Sequence, residues 1–441
     1  MQTTVENLGQ LERRLNVAVP LAQIEGEIQK RLARLAKTVR IAGFRPGKVP
    51  MKMIAQQYGP QVRSDVISDA VNTSFNDAVR AQNLRVAGYP RIEPRQNGEA
   101  AADALEFSAV FEVYPDVALG NVASIQIQRP QVEVTAADVD RTLDVLRKQR
   151  TTFAPVQRES RSGDRVTVDF TGTIDGVAFP GGQAQNFAIT IGEGRMLPEF
   201  EAAVVGRKAG DTHTFQLTFP ADYHGKEVAG RVAQFALNVH EIAEPREPAL
   251  DEAFARAFGV KSGKVEDLRA EVEANLKLEL KRKVESTLKD QALAGLREKS
   301  QLALPRALIE MESQGLMSRM AERMREQGMK AEDVRLSPEM FRQNAEERVA
   351  LGLIIGELVR KENLQARPEQ VRARVEEVAQ TYEQPEAVVR WHYEKRERLS
   401  EFEALTLEQN VVDWVLARAS VTPTPMSFEA LMTPPAPPAA G

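Results

Sequence analysis

Residues 165–179 read RVTVDFTGTIDGVAF, and this stretch predicts a β-hairpin. Val166, Val168 and Phe170 alternate with polar residues, which is the period of a strand with one buried face. Asp175-Gly176 is a dipeptide typical of the tight turn between two antiparallel strands. Three further alternating segments follow, at 187–191, 215–219 and 235–239.

The region from about Thr151 to Glu244 therefore predicts a compact antiparallel sheet, with a short helix from Pro198 to Val205 packed on it. The pattern differs on either side. Residues 1–115 mix alternating strands with a helix of three- and four-residue apolar spacing, and residues beyond Glu247 are helical almost to the end. The sequence thus predicts a multidomain α+β protein.

Changes in pattern and composition predict the domain boundaries. We expect an N-terminal α/β domain at 1–115, a linker at 116–150 that contributes to the C-terminal body, the sheet domain at 151–246, a large all-α domain at 247–432 and a disordered Pro/Ala-rich tail at 433–441.

Composition excludes several kinds of chemistry. The chain has 441 residues with 58 basic and 63 acidic side chains, a net charge of −5, and no cysteine, which removes disulfides, cysteine nucleophiles and thiolate zinc sites. The four histidines do not have the spacing of a metal site. No signal peptide or apolar run of membrane-spanning length is visible, so we expect a cytoplasmic protein without membrane partners.

A basic stretch stands out within this acidic chain. Between Ile28 and Lys52 there are eight basic residues and no acidic one, and the loop GFRPGKVP at 43–50 presents Phe44 among the cations. Cations interleaved with an exposed aromatic ring suit a polyanionic partner. The alternative is a solvated basic helix, with Phe44 packed into its own domain. The eight are Lys30, Arg31, Arg34, Lys37, Arg40, Arg45, Lys48 and Lys52.

Two partial motifs do not predict nucleotide binding. Only three residues separate Gly43 from Gly47, and Val49 follows Lys48 where a phosphate-binding loop needs Ser or Thr. At 192–197, GEGRML has Leu197 in the place of the third glycine of a dinucleotide fingerprint.

The sheet region is rich in aromatic residues that could line one cavity, although such a set is also what an ordinary core contains. These residues are Phe170, Phe179, Phe187, Phe200, Tyr223 and Phe235, joined by Met196 and Leu197.

Several of these segments resemble a known family. The segments VDFTG, FAITIG, MLPEFE and FPADY are similar in order and spacing to the FKBP family of peptidyl-prolyl isomerases. With the Gly-Phe-Arg-x-Gly-Lys-x-Pro loop before them and a helical region ending in SFEALM after them, nearly the whole chain resembles the trigger factor family of bacterial chaperones. The segments lie at 168–172, 187–192, 196–201, 219–223, 43–50 and 427–432.

The resemblance implies a ribosome-associated chaperone that binds nascent and unfolded polypeptides at the exit tunnel, keeps them open for folding or export and isomerises X-Pro bonds. It makes Phe44, Arg45, Gly47 and Lys48 the contacts with ribosomal protein and RNA. Some family members carry Lys where this chain has Pro46, so we expect weaker electrostatics there and unchanged loop geometry. The free protein could form a homodimer.

For the isomerase site, the resemblance implies a pocket walled by aromatic rings, with Met196 and Leu197 in its floor and Tyr223 at its rim. Isomerisation requires no proton transfer, cofactor or metal. Pro180 stands where FKBP enzymes often have an acidic residue. This difference affects any polar contact from that position but does not affect the apolar pocket. The wall residues are Phe170, Phe179, Phe187, Phe200 and Phe235.

The helical region would form the chaperone body. Six of the twelve methionines fall between Met311 and Met340, and Met317, Met320 and Met324 are candidates for an adaptable substrate-binding surface, although methionine also fills ordinary cores. A rival function is an FKBP-type isomerase that acts on folded partners through a helical dimerisation scaffold. A non-enzymatic scaffold that binds nucleic acid fits the negative net charge poorly.

Overall fold

The structure is a computed structural model that describes residues 2–39, 44, 49–94, 104–223, 225–329, 336–380 and 382–433. The chain divides into two compact units. The first contains Met1–Arg129 and Glu285–Thr424, and the second contains Pro130–Val284 and Pro425–Gly441. The boundary between the units falls inside one long helix.

An antiparallel sheet organises the N-terminal part of the first unit. Its strand order is β1-β2-β4-β3, and every neighbouring pair is antiparallel. Leu15, Val17 and Val19 on β2 are buried, as their alternation predicts. The strands are β1 Gln2–Asn7, β2 Glu12–Pro20, β3 Val86–Pro94 and β4 Ala104–Val113.

Two helices, α1 Leu21–Thr38 and α2 Met51–Ala81, pack on one another and on this sheet. Ile24, Ile28 and Leu32 of α1 are buried, which confirms the helical spacing seen in the sequence. The opposite face of α1 carries the basic residues.

Helices form the rest of the first unit. Prolines mark their starts as predicted: α7 begins directly after Pro305, a short 3₁₀ helix begins at Pro338, and α9 and α10 begin at Pro368 and Pro385. The helices are the C-terminal part of α6 Val265–Lys299, α7 Arg306–Glu326, α8 Arg342–Glu362, α9 Pro368–Ala379, α10 Pro385–Tyr393 and α11 Ser400–Leu416. Strand β5 Gln126–Gln131 pairs with β11 Ser420–Pro425.

The second unit contains the predicted antiparallel sheet, which has five strands. Strand β10 lies between β7 on one side and β6 and β9 on the other, and β8 forms the outer edge beside β7. The turn between β7 and β8 is Asp175-Gly176, and both residues have positive φ, as a tight hairpin requires. The strands are β6 Thr152–Pro155, β7 Arg165–Ile174, β8 Val177–Thr190, β9 Thr212–Thr218 and β10 Val232–Arg246.

Helices complete the second unit. Thr135 caps α3 as predicted: its hydroxyl accepts a hydrogen bond from the backbone N–H of Asp138, and the Asp138 carboxylate accepts one from the backbone N–H of Thr135. Phe428 packs against the core that α3, α5 and α6 share. The helices are α3 Ala136–Gln149, α4 Pro198–Val204, α5 Glu252–Ala257, the N-terminal part of α6 and α12 Phe428–Met432.

No described helix combines the length and apolar character needed to cross a membrane.

Candidate functional site

A cavity of about 920 Å³ opens on the five-stranded sheet of the second unit. Its lining comes from β7, β8, β9 and β10, from α4, from the loop before α4 and from the loop between β9 and β10. Seven of the eight residues that the sequence predicts for the isomerase pocket line it: Phe170, Phe179, Met196, Leu197, Phe200, Tyr223 and Phe235.

The sheet register brings two of the rings together. Phe170 on β7 pairs with Leu237 on β10, and Phe235 pairs with Gly172, so the two phenylalanines stand diagonally across neighbouring strands. Their ring centroids are 5.9 Å apart. Phe200 on α4 packs edge-on against both, at 5.3 Å from Phe170 and 5.6 Å from Phe235. Edge-to-face packing at these distances gives the wall a fixed shape.

Glycines make the space for the ring of Phe179. A Cβ atom at Gly172 would lie 2.6 Å from the Phe235 ring and 3.1 Å from the Phe179 ring, and one at Gly182 would lie 2.9 Å from the Phe179 ring. Real Cβ atoms essentially never approach other atoms below 3.0 Å. The two glycines therefore allow Phe179 to reach the cavity from the edge strand.

Glu201 holds the loop that carries the floor of the cavity. Its Oε2 accepts a hydrogen bond of 3.0 Å from the backbone N–H of Gly192. Gly192 and Gly194 have φ of +94° and +67°, which favour glycine, and the loop then delivers Met196 and Leu197 to the lining. The apolar floor is thus anchored to α4 by a carboxylate outside the lining.

The rim of the cavity contains the departure from the family pattern. Pro180 lines the cavity beside Gly181, so this position supplies apolar surface. The charged lining residues are Arg195, Lys226 and Glu227. Arg195 forms an ion pair of 2.9 Å with Glu193 and is largely exposed, so its charge is screened by solvent.

Phe187 is not among the residues that line the cavity, and its predicted place in the wall stays a prediction. It lies on β8 and is 39% exposed, and its ring meets the ring of Phe170 edge-on at 5.7 Å from behind. Phe187 pairs with Val168, two residues before Phe170 on β7, so it lies on the same face of the sheet as Phe170 but one pair further along the strand.

The sequence reasoning missed Leu217, Phe219 and Val228, which are buried and line the cavity. Phe219 packs against Phe179 at 5.9 Å and against Tyr223 at 4.8 Å between ring centroids. A signal was present in the sequence, because Phe215, Leu217 and Phe219 alternate and Phe219 opens the FPADY segment that ends at Tyr223.

This arrangement presents an apolar, mostly aromatic cavity with a few charges at its rim. Among the residues that the structure describes, no group of three or more His, Cys, Asp or Glu side chains is placed to hold a metal ion. The cavity can bind a compact apolar ring such as a proline side chain and surround the neighbouring peptide bond with apolar groups.

The N-terminal loop is described only in part. Phe44 is 38% exposed, which disfavours the alternative of a ring packed into its own domain. Arg45, Gly47 and Lys48 lie outside the described residues, as do Pro46 and Arg40. The relative positions of these predicted ribosome contacts stay a prediction.

The basic face of α1 is partly neutralised. Lys30 pairs with Glu27 at 2.6 Å, and its hydrogen bond holds the pKa of Glu27 below the usual range. Arg31 pairs with Asp69 of α2 at 2.5 Å. Arg34 and Lys37 are exposed, and in the described part of the chain neither forms an ion pair with a carboxylate.

One of the three methionines predicted for a substrate surface is in the core. Met324 of α7 is only 8% exposed, because it faces inward on its helix, so it cannot present its side chain to a polypeptide. Met320 is 37% exposed and Met317 is half-buried. Met311 and Met340, which the prediction left out, are 48% and 63% exposed.

Comparisons with known proteins match the chain along most of its length. A family model described as bacterial trigger factor protein matches residues 1–146, and one described as the trigger factor C-terminus matches residues 264–417. Between them, residues 156–242 match a family model described as FKBP-type peptidyl-prolyl cis-trans isomerase.

Curated relatives give the same result. The trigger factor of Nitrosospira multiformis is 50% identical over 98% of this chain and 99% of its own length. The trigger factor of Aromatoleum aromaticum is 49% identical, with the same coverage of both chains. A solved structure titled for promiscuous substrate recognition by the trigger factor chaperone is 18% identical, covers 95% of this chain and 99% of its own, and has a TM-score of 0.48.

Full-length similarity to these relatives favours the chaperone over the rival isomerase with a dimerisation scaffold. The chain belongs to the bacterial trigger factor family, the ribosome-associated chaperones that carry an FKBP-type peptidyl-prolyl isomerase domain.

Proposed function

We propose that the aromatic cavity of the second unit is the active site of the isomerase and that the basic loop at 43–50 docks the chain on the ribosome. The observation that supports the first part most strongly is the convergence of seven sequence-predicted residues, from three strands, one helix and two loops, on one cavity. The lining set is the predicted one without Phe187 and with Leu217, Phe219 and Val228 added.

The cavity accelerates isomerisation through its apolar surroundings. Rotation about a peptide bond has a barrier of roughly 18–20 kcal/mol because the planar amide is stabilised by resonance. Resonance separates charge, so the planar amide is the more polar form and the twisted transition state the less polar one. An apolar site therefore stabilises the twisted form relative to the planar one, and each tenfold gain in rate requires about 1.4 kcal/mol of this difference.

The rings also orient the substrate. Phe170, Phe200 and Phe235 pack on one another and so hold their positions when the cavity is empty. A preorganised wall binds the proline ring without first having to order its own side chains. Phe179 and Tyr223 also line the cavity, and both rings pack against the ring of Phe219.

Replacing Phe179 by alanine tests this assignment. Phe179→Ala removes a wall that the sheet does not need for its core, so we expect kcat/KM for a short X-Pro peptide to fall by at least about tenfold. Phe153→Ala is the matched control, because Phe153 lies in the same sheet and stacks under Arg165 at 4.4 Å, away from the cavity. If Phe179→Ala kept the activity of the wild type, the assignment would be wrong.

The ribosome-docking surface is proposed from charge and exposure. Exposed Phe44 lies within a stretch of eight cations and no anions, and Arg34 and Lys37 extend this charge along α1. Ribosomal RNA is a polyanion, so free cations supply attraction and an exposed ring supplies a contact with RNA or protein. The prediction for Pro46 is part of this proposal. Compared with family members that have Lys at this position, we expect the loop to carry one cation fewer and to keep the same geometry.

A further part of the proposal concerns unfolded polypeptides. The helical part of the first unit offers Met311, Met320 and Met340 as exposed, adaptable side chains for unfolded polypeptides, and crosslinking from Met320, with buried Met324 as its control, tests this surface. A homodimer of the free protein and a cytoplasmic location rest on the family relationship. Sedimentation velocity of the free chain tests the dimer.

A further inference from the structure

A single carboxylate lies between two irregular strands behind the cavity. On one side of β7, the pairing with β8 passes from Val168↔Phe187 to Phe170↔Ala184, so two residues of β8 bulge. On the other side, the pairing with β10 shifts between Val239 and Glu241, so His240 is the extra residue. Asp169 lies opposite the β8 bulge, and the β10 irregularity lies opposite the two residues before it, Thr167 and Val168.

Asp169 is hydrogen-bonded to both bulges. Its Oδ1 accepts a hydrogen bond of 2.7 Å from the backbone N–H of Asn186, and its Oδ2 lies 2.7 Å from Nε2 of His240. Asn186 has a φ of +50°, a left-handed conformation that is uncommon outside glycine and in which asparagine is enriched. A side-chain oxygen that accepts the Asn186 backbone N–H holds the bulge in this conformation, because the ladder of the sheet leaves an extra bulge residue unpaired.

Burial alone specifies the register of β8 poorly. It is an edge strand, and among its residues, Val177–Thr190, the two buried ones are Gly182 and Ile189. A strand with so few buried residues can slip along its neighbour, and a slip of one residue turns every side chain to the other face. The bond from Asn186 to Asp169 fixes the register at the point where burial does not.

The residue after Asn186 supports the cavity wall. Phe187 meets the ring of Phe170 edge-on at 5.7 Å, and Phe170 lines the cavity. We propose that Asp169 is a positioning residue of the isomerase: it fixes the bulges of β8 and β10 and thereby holds Phe187 against Phe170. This inference rests on the proposed active site.

The test compares substitutions at Asp169 in the full chain. Asp169→Ala frees both bulges, so we expect kcat/KM for a short X-Pro peptide to fall on the order of tenfold. Asp169→Asn should restore most of the activity, because its amide oxygen can accept from Asn186 and its amide nitrogen can donate to the imidazole. Asp211→Ala is the control, since Asp211 also accepts a backbone N–H, from Lys208 at 2.8 Å, but lies in a loop outside the cavity lining.

Thermal unfolding of the same variants separates positioning from stability. A purely structural role would lower the melting temperature of Asp169→Ala and leave its kcat/KM unchanged at temperatures where it is folded, and this result would overturn the inference. Equal losses in Asp169→Ala and Asp169→Asn would overturn it as well, because charge would then be what matters. Phe179→Ala in the same assay shows whether the active-site assignment itself holds: if it is fully active, that assignment fails independently of Asp169.

Discussion

At the scale of single residues, the cavity depends as much on absent side chains as on present ones. Gly172 faces the Phe179 and Phe235 rings at distances that leave no room for a methyl group, although its own backbone conformation is one that alanine can adopt. The glycine is therefore required by the packing of the site and not by the backbone of the strand. A substitution at Gly172 can therefore lower activity without unfolding the sheet.

Gly172→Ala should lower kcat/KM for an X-Pro peptide by about tenfold or more, because the added methyl displaces one of the two rings. Circular dichroism should show an intact sheet. Gly59→Ala, in α2, is the comparison, since an added methyl there meets nothing within 4 Å. An active Gly172→Ala variant would show that the two rings can move without consequence for catalysis.

The sequence predicted which residues belong to the site better than it predicted where each of them lies. The aromatic residues of the sheet and the FKBP-like segments identified seven lining residues, of which Phe170, Phe179 and Phe235 lie on strands. The alternation of β8 did not show that Phe187 pairs with Val168, one pair away from Phe170, because pairing between strands is not a local signal. Met324 failed because the methionines of α7 occur on more than one face of the helix, and sequence spacing did not show which face is covered.

At the scale of elements, a buried ion pair holds the sheet where β7 begins. Asp164 is 2% exposed and accepts hydrogen bonds from Arg158 Nη1 and Nη2 at 2.5 and 2.9 Å and from the backbone N–H of Arg161 at 2.8 Å. The Arg158 guanidinium holds the pKa of the Asp164 carboxyl below its usual range, against the effect of burial. The pair fixes the loop that leads into the strand of Phe170.

The sign of the pH dependence follows from this lowered pKa. The unfolded carboxyl has a pKa of about 3.9, so the stabilisation is fully present above about pH 4 and is lost as the pH falls through the lower folded value. Asp164→Asn should destabilise the sheet by about 2 kcal/mol at pH 7 and should lose less stability than the wild type between pH 4 and pH 2. Hydrogen exchange of the Val166 and Val168 amides, compared at each pH, measures this. Parallel pH profiles for the two proteins would contradict the assignment.

The sequence predicted most elements because their signals are local. Proline at helix starts, the Thr135 cap and the Asp175-Gly176 turn each act within a few residues, and each is found where predicted. The bulges of β8 and β10 depend on pairing between strands that are distant in sequence, so local patterns could not predict them. The mutual support of Asp169 and these bulges likewise depends on the tertiary structure.

At the scale of the whole molecule, we assign two tasks to two parts of the chain. The proposed isomerase cavity is apolar and contained within the second unit, whereas the proposed docking segment is rich in cations in its sequence, includes the exposed ring of Phe44 and belongs to the first unit. Isomerisation in the cavity does not require the docking loop, and ribosome binding does not require the cavity. We therefore predict that substitutions can remove isomerase activity and ribosome binding separately.

Co-sedimentation with ribosomes, with kcat/KM for an X-Pro peptide measured on the same preparations, tests whether ribosome binding and isomerase activity are separate. Phe44→Ala, Arg45→Ala and Lys48→Ala combined in one chain should abolish co-sedimentation and leave kcat/KM unchanged. The control combines Lys30→Ala with Arg31→Ala, which removes cations already paired with Glu27 and Asp69, and should still co-sediment. Co-sedimentation of the triple variant at the level of the wild type, or loss of kcat/KM together with ribosome binding, would contradict the account.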